Sequence, residues 1–242
     1  MNGSVAQADL RDVGLERGGR WLFRGLNLTL PRGRFIALTG RSGAGKSSLL
    51  ACLSGSLEPT SGEIVFRGAA GDSLPPAAFR RRIGVVFQNF LLIGNGTVLH
   101  NVLCGRLGRH PWWRTLFGFP AADRADACEI LRELELSVHA QRRAGEVSGG
   151  EQQRTALARA LLQEPEILLA DEPVSNLDPA LAEKVLGLLR AEARRHGRTV
   201  LCVLHSDDFV RRYADLELCL DADEPGGWIL RNNPSPISDD EP

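Results

Sequence analysis

The sequence predicts an α/β chain, a core of alternating strands and helices with an all-helical segment inserted into it. Three observations carry this. Short apolar runs alternate with helical stretches up to about residue 96 and again from 166 to 220. Between them, over about 97–160, the periodicity is helical throughout. A glycine-rich turn, GRSGAGKS at 40–47, joins the end of an apolar run to the start of a helix.

In chain order, short strands are expected in DVGLER (12–17), WLFRGLNLTL (21–30) and RFIALTG (34–40), the last two punctuated by Pro31 and Gly33. A helix at about 46–55 and a strand GEIVFRG (62–68) follow. SLPPAAFRRR (73–82) reads as a turn into a short helix, and IGVVF (83–87) as a buried strand. The helical segment has breaks near 107–120 and 141–149. Then come a strand EILLA (166–170), a helix at about 179–196 and a strand RTVLCVL (198–204). A short helix and LELCL (216–220) close the core, and residues 221–242 are expected to form a hairpin and a disordered acidic tail.

At 242 residues, 43% hydrophobic and 24% charged, the chain has ordinary globular composition. Its net charge of −1 argues against a nucleic-acid partner or a polybasic membrane anchor. The start, MNGSVAQADL, has no signal-peptide pattern, and no apolar run reaches the roughly 18–20 residues that span a bilayer. Five scattered cysteines without metal spacing suit a reduced compartment, so a cytoplasmic location is expected. Lys46 and Lys184 are the only lysines in an arginine-rich chain, which makes the position of each informative.

GRSGAGKS fits G-x-x-x-x-G-K-[ST] between a strand and a helix. Gly40, Arg41, Ser42, Gly43, Ala44 and Gly45 would curl so that backbone N–H groups converge on phosphate oxygens, helped by the helix start. Lys46 would reach the terminal phosphates, Ser47 would ligate Mg²⁺, and Ser48 completes the turn. The bland reading, a plain glycine turn, does not account for the lysine. ILLADE (167–172) is an apolar strand ending in two acids. Asp171 there could hold Mg²⁺ and Glu172 could act as general base toward water; solvated acids are the plain alternative. VSGGEQQR (147–154) opens an amphipathic helix, where Ser148, Gly149 and Gly150, followed by Glu151, form a second anion-binding helix start. Two such starts with one phosphate loop make sense if the second grips a nucleotide held by another copy. An ordinary capped helix is the competing reading.

Taken in order, these motifs resemble the ATP-binding subunits of ABC transporters over about residues 8–220. Walker A is 40–47, the signature is VSGGE (147–151) and Walker B is 167–171. VVFQNF carries Gln88, SNLD (175–178) looks like the D-loop, and His205 in VLHSDD looks like the switch histidine. The resemblance implies a P-loop NTPase (RecA-like) core with an antiparallel β-subdomain, about 8–95 and 160–220, and an inserted α-helical signature subdomain, about 96–159. It implies ATP and Mg²⁺ as cofactors and a head-to-tail homodimer enclosing two nucleotides. Gln88 would then sense Mg²⁺ and water, His205 would contact the γ-phosphate, and Asp178 would lie at the dimer seam. Alone, His205 reads as a structural histidine and Gln88 as a polar strand end. The other implied partners are membrane permease subunits and, indirectly, a periplasmic binding protein, which would place the chain peripherally on the cytoplasmic face of the inner membrane.

Three departures stand out. Val147 and Glu151 replace the commoner Leu and Gln, and Asn176 replaces a small residue in the D-loop. Arg17 falls where the family usually stacks an aromatic on adenine. A guanidinium can stack on a base, but weaker base discrimination is expected, with comparable ATP and GTP affinities. The stretch TVLHNVLCGRLGRHPWWRTLFGFP (97–120) closely resembles the subfamily that imports phosphonates and related phosphorus compounds. An exporter or lipoprotein-release ATPase shares every nucleotide motif. A non-transport ATPase would more usually carry tandem cassettes or a basic face. Little chain follows LELCL, so no C-terminal regulatory domain is expected. Within GRHPWWRTLFGF (108–119), Trp113 and Phe117 are expected to pack inward, with Trp112 and Arg114 nearer a partner.

Overall fold

Two burial patterns separate the strands into two sheets. β1 (Ala6–Arg17) and β2 (Arg20–Pro31) form a hairpin, and the later part of β2 alternates between buried and exposed positions, as expected for a sheet wet on one face. β3 (Phe35–Gly40), β7 (Ile167–Ala170) and β8 (Thr199–Val203) are instead buried along almost every residue, as parallel strands covered on both faces must be. In this computed structural model, residues 6–68, 71–115, 118–220 and 226–233 are described.

The antiparallel sheet adds β4 (Ser61–Arg67) and the two-residue β5 (Ser73–Leu74), in the order β2-β1-β4-β5. The second sheet adds β6 (Ile83–Val86), β9 (Leu216–Leu220) and β10 (Trp228–Asn232). Its order is β10-β9-β3-β8-β7-β6, parallel from β9 to β6, with β10 antiparallel at the edge. β10 pairs with LELCL; residues 221–225 and 234–242, part of the stretch expected to form a hairpin and tail, lie outside the described residues.

Successive residues of the parallel strands feed opposite cores. Ile36, Leu38, Leu169 and Leu201 face the antiparallel sheet and α1 (Lys46–Ser54). Phe35, Ala37, Leu168 and Val200 face α7 (Pro179–His196) and the helical segment. α2 (Pro76–Arg80) closes the first core by stacking Phe79 on Phe66, centroids 4.3 Å apart.

The helical segment comprises α3 (Val98–Leu103), α4 (Trp112–Thr115), α5 (Ala121–Glu133) and α6 (Gly149–Leu162). α3 and α5 pack on α6, and Val102, Leu131 and Leu157 are sealed in the same cluster as Leu168 of the sheet. Charge contacts pin part of the stretch between α3 and α5. Arg106, 2% exposed, donates to Asp126 and Glu164 at 2.8 Å each, and His110 lies 2.6 Å from Asp123. Trp113 is 59% exposed, which corrects the expectation that it packs inward. The inward expectation rested on i, i+4 spacing, whereas the described interior of the segment is filled by Val102, Leu103, Ala127 and Leu131. Phe117 and the side chains of Trp112 and Arg114 lie outside the described residues. α8 (Asp207–Tyr213) precedes β9.

Candidate active site

The phosphate loop sits where β3 ends and α1 begins. Gly45, the N-cap of α1, has φ 96°, and a Cβ there would lie 2.9 Å from Leu22 Cβ. Gly40 has φ 131°, and a Cβ there would come within 2.5 Å of the Leu220 carbonyl oxygen. Both positions therefore require glycine sterically as well as conformationally. No side chain caps α1, and its first turn holds no acid, so its positive end is left to an outside anion. Lys46, 8% exposed, folds back to donate to the carbonyls of Gly40 (2.8 Å) and Arg41 (3.0 Å). These bonds hold the ammonium over the loop. Arg41 and Ser42 are exposed on the turn, Ala44 is buried beneath it and Ser48 lies in the first turn of α1.

The neighbouring strand ends supply the acids and the amide. Asp171 follows β7, its N–H donating to the Val86 carbonyl at 2.9 Å. Ser47 hydrogen-bonds its carboxylate. Burial holds the Asp171 carboxyl above its usual range, with Glu172 adding to the rise; the Ser47 bond, Lys46 and His205 oppose it. A cavity of about 390 Å³ is lined by Ser47, Val86, Gln88, Asn89 and Asp171. The hydroxyl, amide and carboxylate oxygens expected to serve Mg²⁺ therefore border one space. Such hard oxygen donors suit Mg²⁺, and a cation would relieve the cost of the desolvated carboxylate.

Glu172 adopts φ 53°, in the left-handed region a glutamate rarely enters. Its Oε1 lies 2.7 Å from His205 Nε2, so the two expected catalytic side chains meet. His205 is exposed just past β8.

Ser148 caps α6 in a capping box. Glu151 N donates to Ser148 Oγ at 3.3 Å, and Ser148 N donates to Glu151 Oε2 at 2.7 Å. His139 Nε2 stands 3.1 Å from Glu151 Oε1. Ser148, Gly149 and Gly150 do not line the Ser47–Asp171 cavity. Gly150 instead abuts the loop after β7, where a Cβ would lie 3.1 Å from the Asn176 carbonyl oxygen. Asp178 caps α7 by accepting from Leu181 N at 3.1 Å. Arg17 is exposed at the tip of the β1–β2 hairpin, and its charge reaches Cys52 of α1, whose thiol burial pushes up to about 11.

Two contacts escape sequence reasoning. Arg159 of α6 donates to the carbonyls of Phe90 (2.8 Å) and Leu91 (2.7 Å), just past Gln88, and both residues have positive φ. Gln153 of α6 donates to the Glu172 carbonyl oxygen at 2.6 Å. The two residues stand about 120° apart around α6, and the identity of their partners follows only from the fold.

A phosphate loop at one strand tip, an acid pair at a second and a histidine past a third define a P-loop nucleotide-binding protein with an inserted helical segment. The family model for the ABC transporter matches residues 23–175. The phosphonates import ATP-binding protein PhnC of Trichormus variabilis is 44% identical over 193 residues, covering 80% of this chain and 79% of that protein. A dimeric structure of a bacterial ABC transporter cassette superposes with a TM-score of 0.80 at 30% identity, covering 93% of this chain and 98% of the other. A dimeric cassette in a post-hydrolysis state with ADP and Pi bound gives 0.77 at 31% identity, covering 92% and 97%. The chain belongs to the ABC transporter family, among its ATP-binding cassettes.

Proposed function

We propose that this chain binds and hydrolyses ATP in a head-to-tail homodimer that drives a membrane permease importing phosphonates or related phosphorus compounds. The observation that carries the chemistry is the single cavity bordered by Ser47, Gln88 and Asp171, beside the Lys46 loop and the Glu172–His205 pair. In this reading the α1 start and Lys46 bind the β- and γ-phosphates. Mg²⁺, held by Ser47, Asp171 and Gln88, would neutralise charge building on the phosphate oxygens. Glu172 accepts a proton from the water that attacks the γ-phosphorus as the bond to the bridging oxygen breaks, leaving ADP and phosphate. His205 orients the Glu172 carboxylate through their 2.7 Å contact and stands ready for the γ-phosphate. Ser148 to Gly150 grip the partner's nucleotide, which fits their place outside the chain's own cavity. The segment 96–159 acts as the subdomain that carries this grip.

The cargo reading rests on the 97–120 stretch and on the similarity to the Trichormus phosphonates import protein. No helix among the described residues is long and apolar enough to cross a membrane, so attachment to the cytoplasmic face of the inner membrane would come through the permease. Leu91, Ile93, Leu107 and Trp113 are exposed near Gln88 in sequence or on the inserted segment and supply apolar surface for that contact. The test is ATPase activity in liposomes carrying the native permease, with its binding protein and candidate phosphonates added. Stimulation by a phosphonate is expected; no response to any phosphonate, phosphite or phosphate overturns the cargo reading.

A further inference from the structure

Gln153 ties the helix that opens the signature to the backbone of the proposed general base. It lies on the second turn of α6, one turn beyond Ser148, and is 2% exposed. Its Nε2 donates to the Glu172 carbonyl oxygen at 2.6 Å and approaches Ser175 Oγ at 3.5 Å. The same carbonyl accepts from Ser175 Oγ at 3.1 Å and from Ser175 N at 3.3 Å. Three donors thus converge on one carbonyl of a residue whose φ of 53° is left-handed. Strained conformations of this kind persist only where surrounding contacts hold them.

The amide orientation follows from the acceptor. Turned the other way, Gln153 would set two carbonyl-type oxygens 2.6 Å apart with no proton between them, so the atom facing Glu172 must be the NH₂. That choice leaves Gln153 Oε1 buried without a partner among the described residues. A side chain that served only to fill space would carry no such orphan, and an apolar one of equal volume would avoid it. The loop held this way, 172–178, also touches Gly150 through Asn176 and Leu177.

We infer that Gln153 is a positioning residue that fixes the Glu172 backbone, so that the helix gripping the partner's nucleotide also sets the aim of the general base in its own chain. The inference rests on the proposed ATPase reading. A shift of α6 when Ser148 engages nucleotide would reach Glu172 through one side chain, without passing through the phosphate loop. Binding and catalysis should then separate. Loss of the donor misdirects Glu172 and leaves the Lys46 loop intact.

Two variants test this. Gln153→Met keeps the volume and removes both polar atoms, and Gln153→Leu removes them with a shorter side chain. Both are compared with wild type and Glu172→Gln for ATPase kcat and KM, fluorescent-nucleotide affinity and melting temperature. The expected result is a kcat lowered at least tenfold in each folded variant, with KM and nucleotide affinity within about twofold of wild type. Gln153→Met should also melt no lower than wild type, because the buried orphan is gone. A purely structural residue would instead lower the melting point while leaving kcat of the folded fraction unchanged, and that result overturns the inference. Should Gln153→Met fail to fold, the kcat of Gln153→Leu decides. Full activity in wild type and none in Glu172→Gln, with Gln153 variants at wild-type kcat, removes Gln153 alone; an inactive wild type overturns the ATPase reading as well.

Discussion

The two glycine-rich helix starts, at α1 and α6, look alike in sequence and are built in opposite ways. α1 begins at a left-handed glycine with no side-chain cap and no acid in its first turn, and a buried lysine leans over its loop. α6 begins at a serine whose hydroxyl is engaged by its own Glu151 N–H, with the Glu151 carboxylate returned to Ser148 N and close to His139. An anion meeting α1 finds a helix end that nothing else has claimed. One meeting α6 finds an end already satisfied and carrying a negative charge, so it can only be gripped there while something else holds it. The contrast supports the proposed division, with nucleotide affinity at α1 and the nucleotide-dependent joining of two copies at α6.

The largest expected effect comes from removing the claim of α1. Lys46→Ala should weaken ATP binding by about 100-fold or more, read by nucleotide titration, since a buried charge contact to phosphate is lost. Unchanged affinity would erase the distinction between the two ends. Next, Glu172→Gln should lower kcat by about 100-fold while ATP still binds; retained turnover removes Glu172 from the general-base role. A smaller effect is expected at α6. Glu151→Gln removes a like charge near the partner's phosphates and should tighten ATP-dependent dimerisation a few-fold, an interaction with the helix end of about 0.3–1 kcal/mol. Sedimentation against protein concentration measures it, and weaker dimerisation would mean the carboxylate is needed for the grip.

The smallest effect is on stability against pH. The backbone N–H of Ser148 holds the Glu151 carboxyl below its ordinary value of 4.5, with His139 and Arg154 contributing, against a desolvation that raises it. A depressed folded-state pKa gives stability that is present above the unfolded value and lost as pH falls through the folded one. Wild type should therefore lose more stability than Glu151→Gln on acidification below about pH 4.5. Parallel acid limbs in urea denaturation would show the cap to be idle.

How much of this was legible depended on how local each signal is. The span of α7 follows from Asp178, Pro179 and the left-handed Gly197, all read from adjacent residues. The phosphate loop is likewise one contiguous string. β1 and β2 were harder: they run 12 residues each, and the glycines that break their alternation fall at register shifts the sheet absorbs. The exposure of Trp113 was not legible because the anchors of that stretch include Arg106 and His110, whose acidic partners lie 13 to 58 positions away. The contacts of Gln153 with Glu172 and of Arg159 with Phe90 span 19 and 69 positions. They exist because the fold lays α6 against β6 and the loops that follow β6 and β7, which the pattern of a single segment does not encode.

The central claim, that α1 binds nucleotide and α6 joins copies, is tested most directly by sedimentation of Glu172→Gln with ATP, alone and combined with Ser148→Arg. The account predicts a dimer with ATP for the single variant, and a monomer of unchanged nucleotide affinity for the double variant. A single variant that stays monomeric in saturating ATP, or a double variant that no longer binds ATP at all, would contradict it.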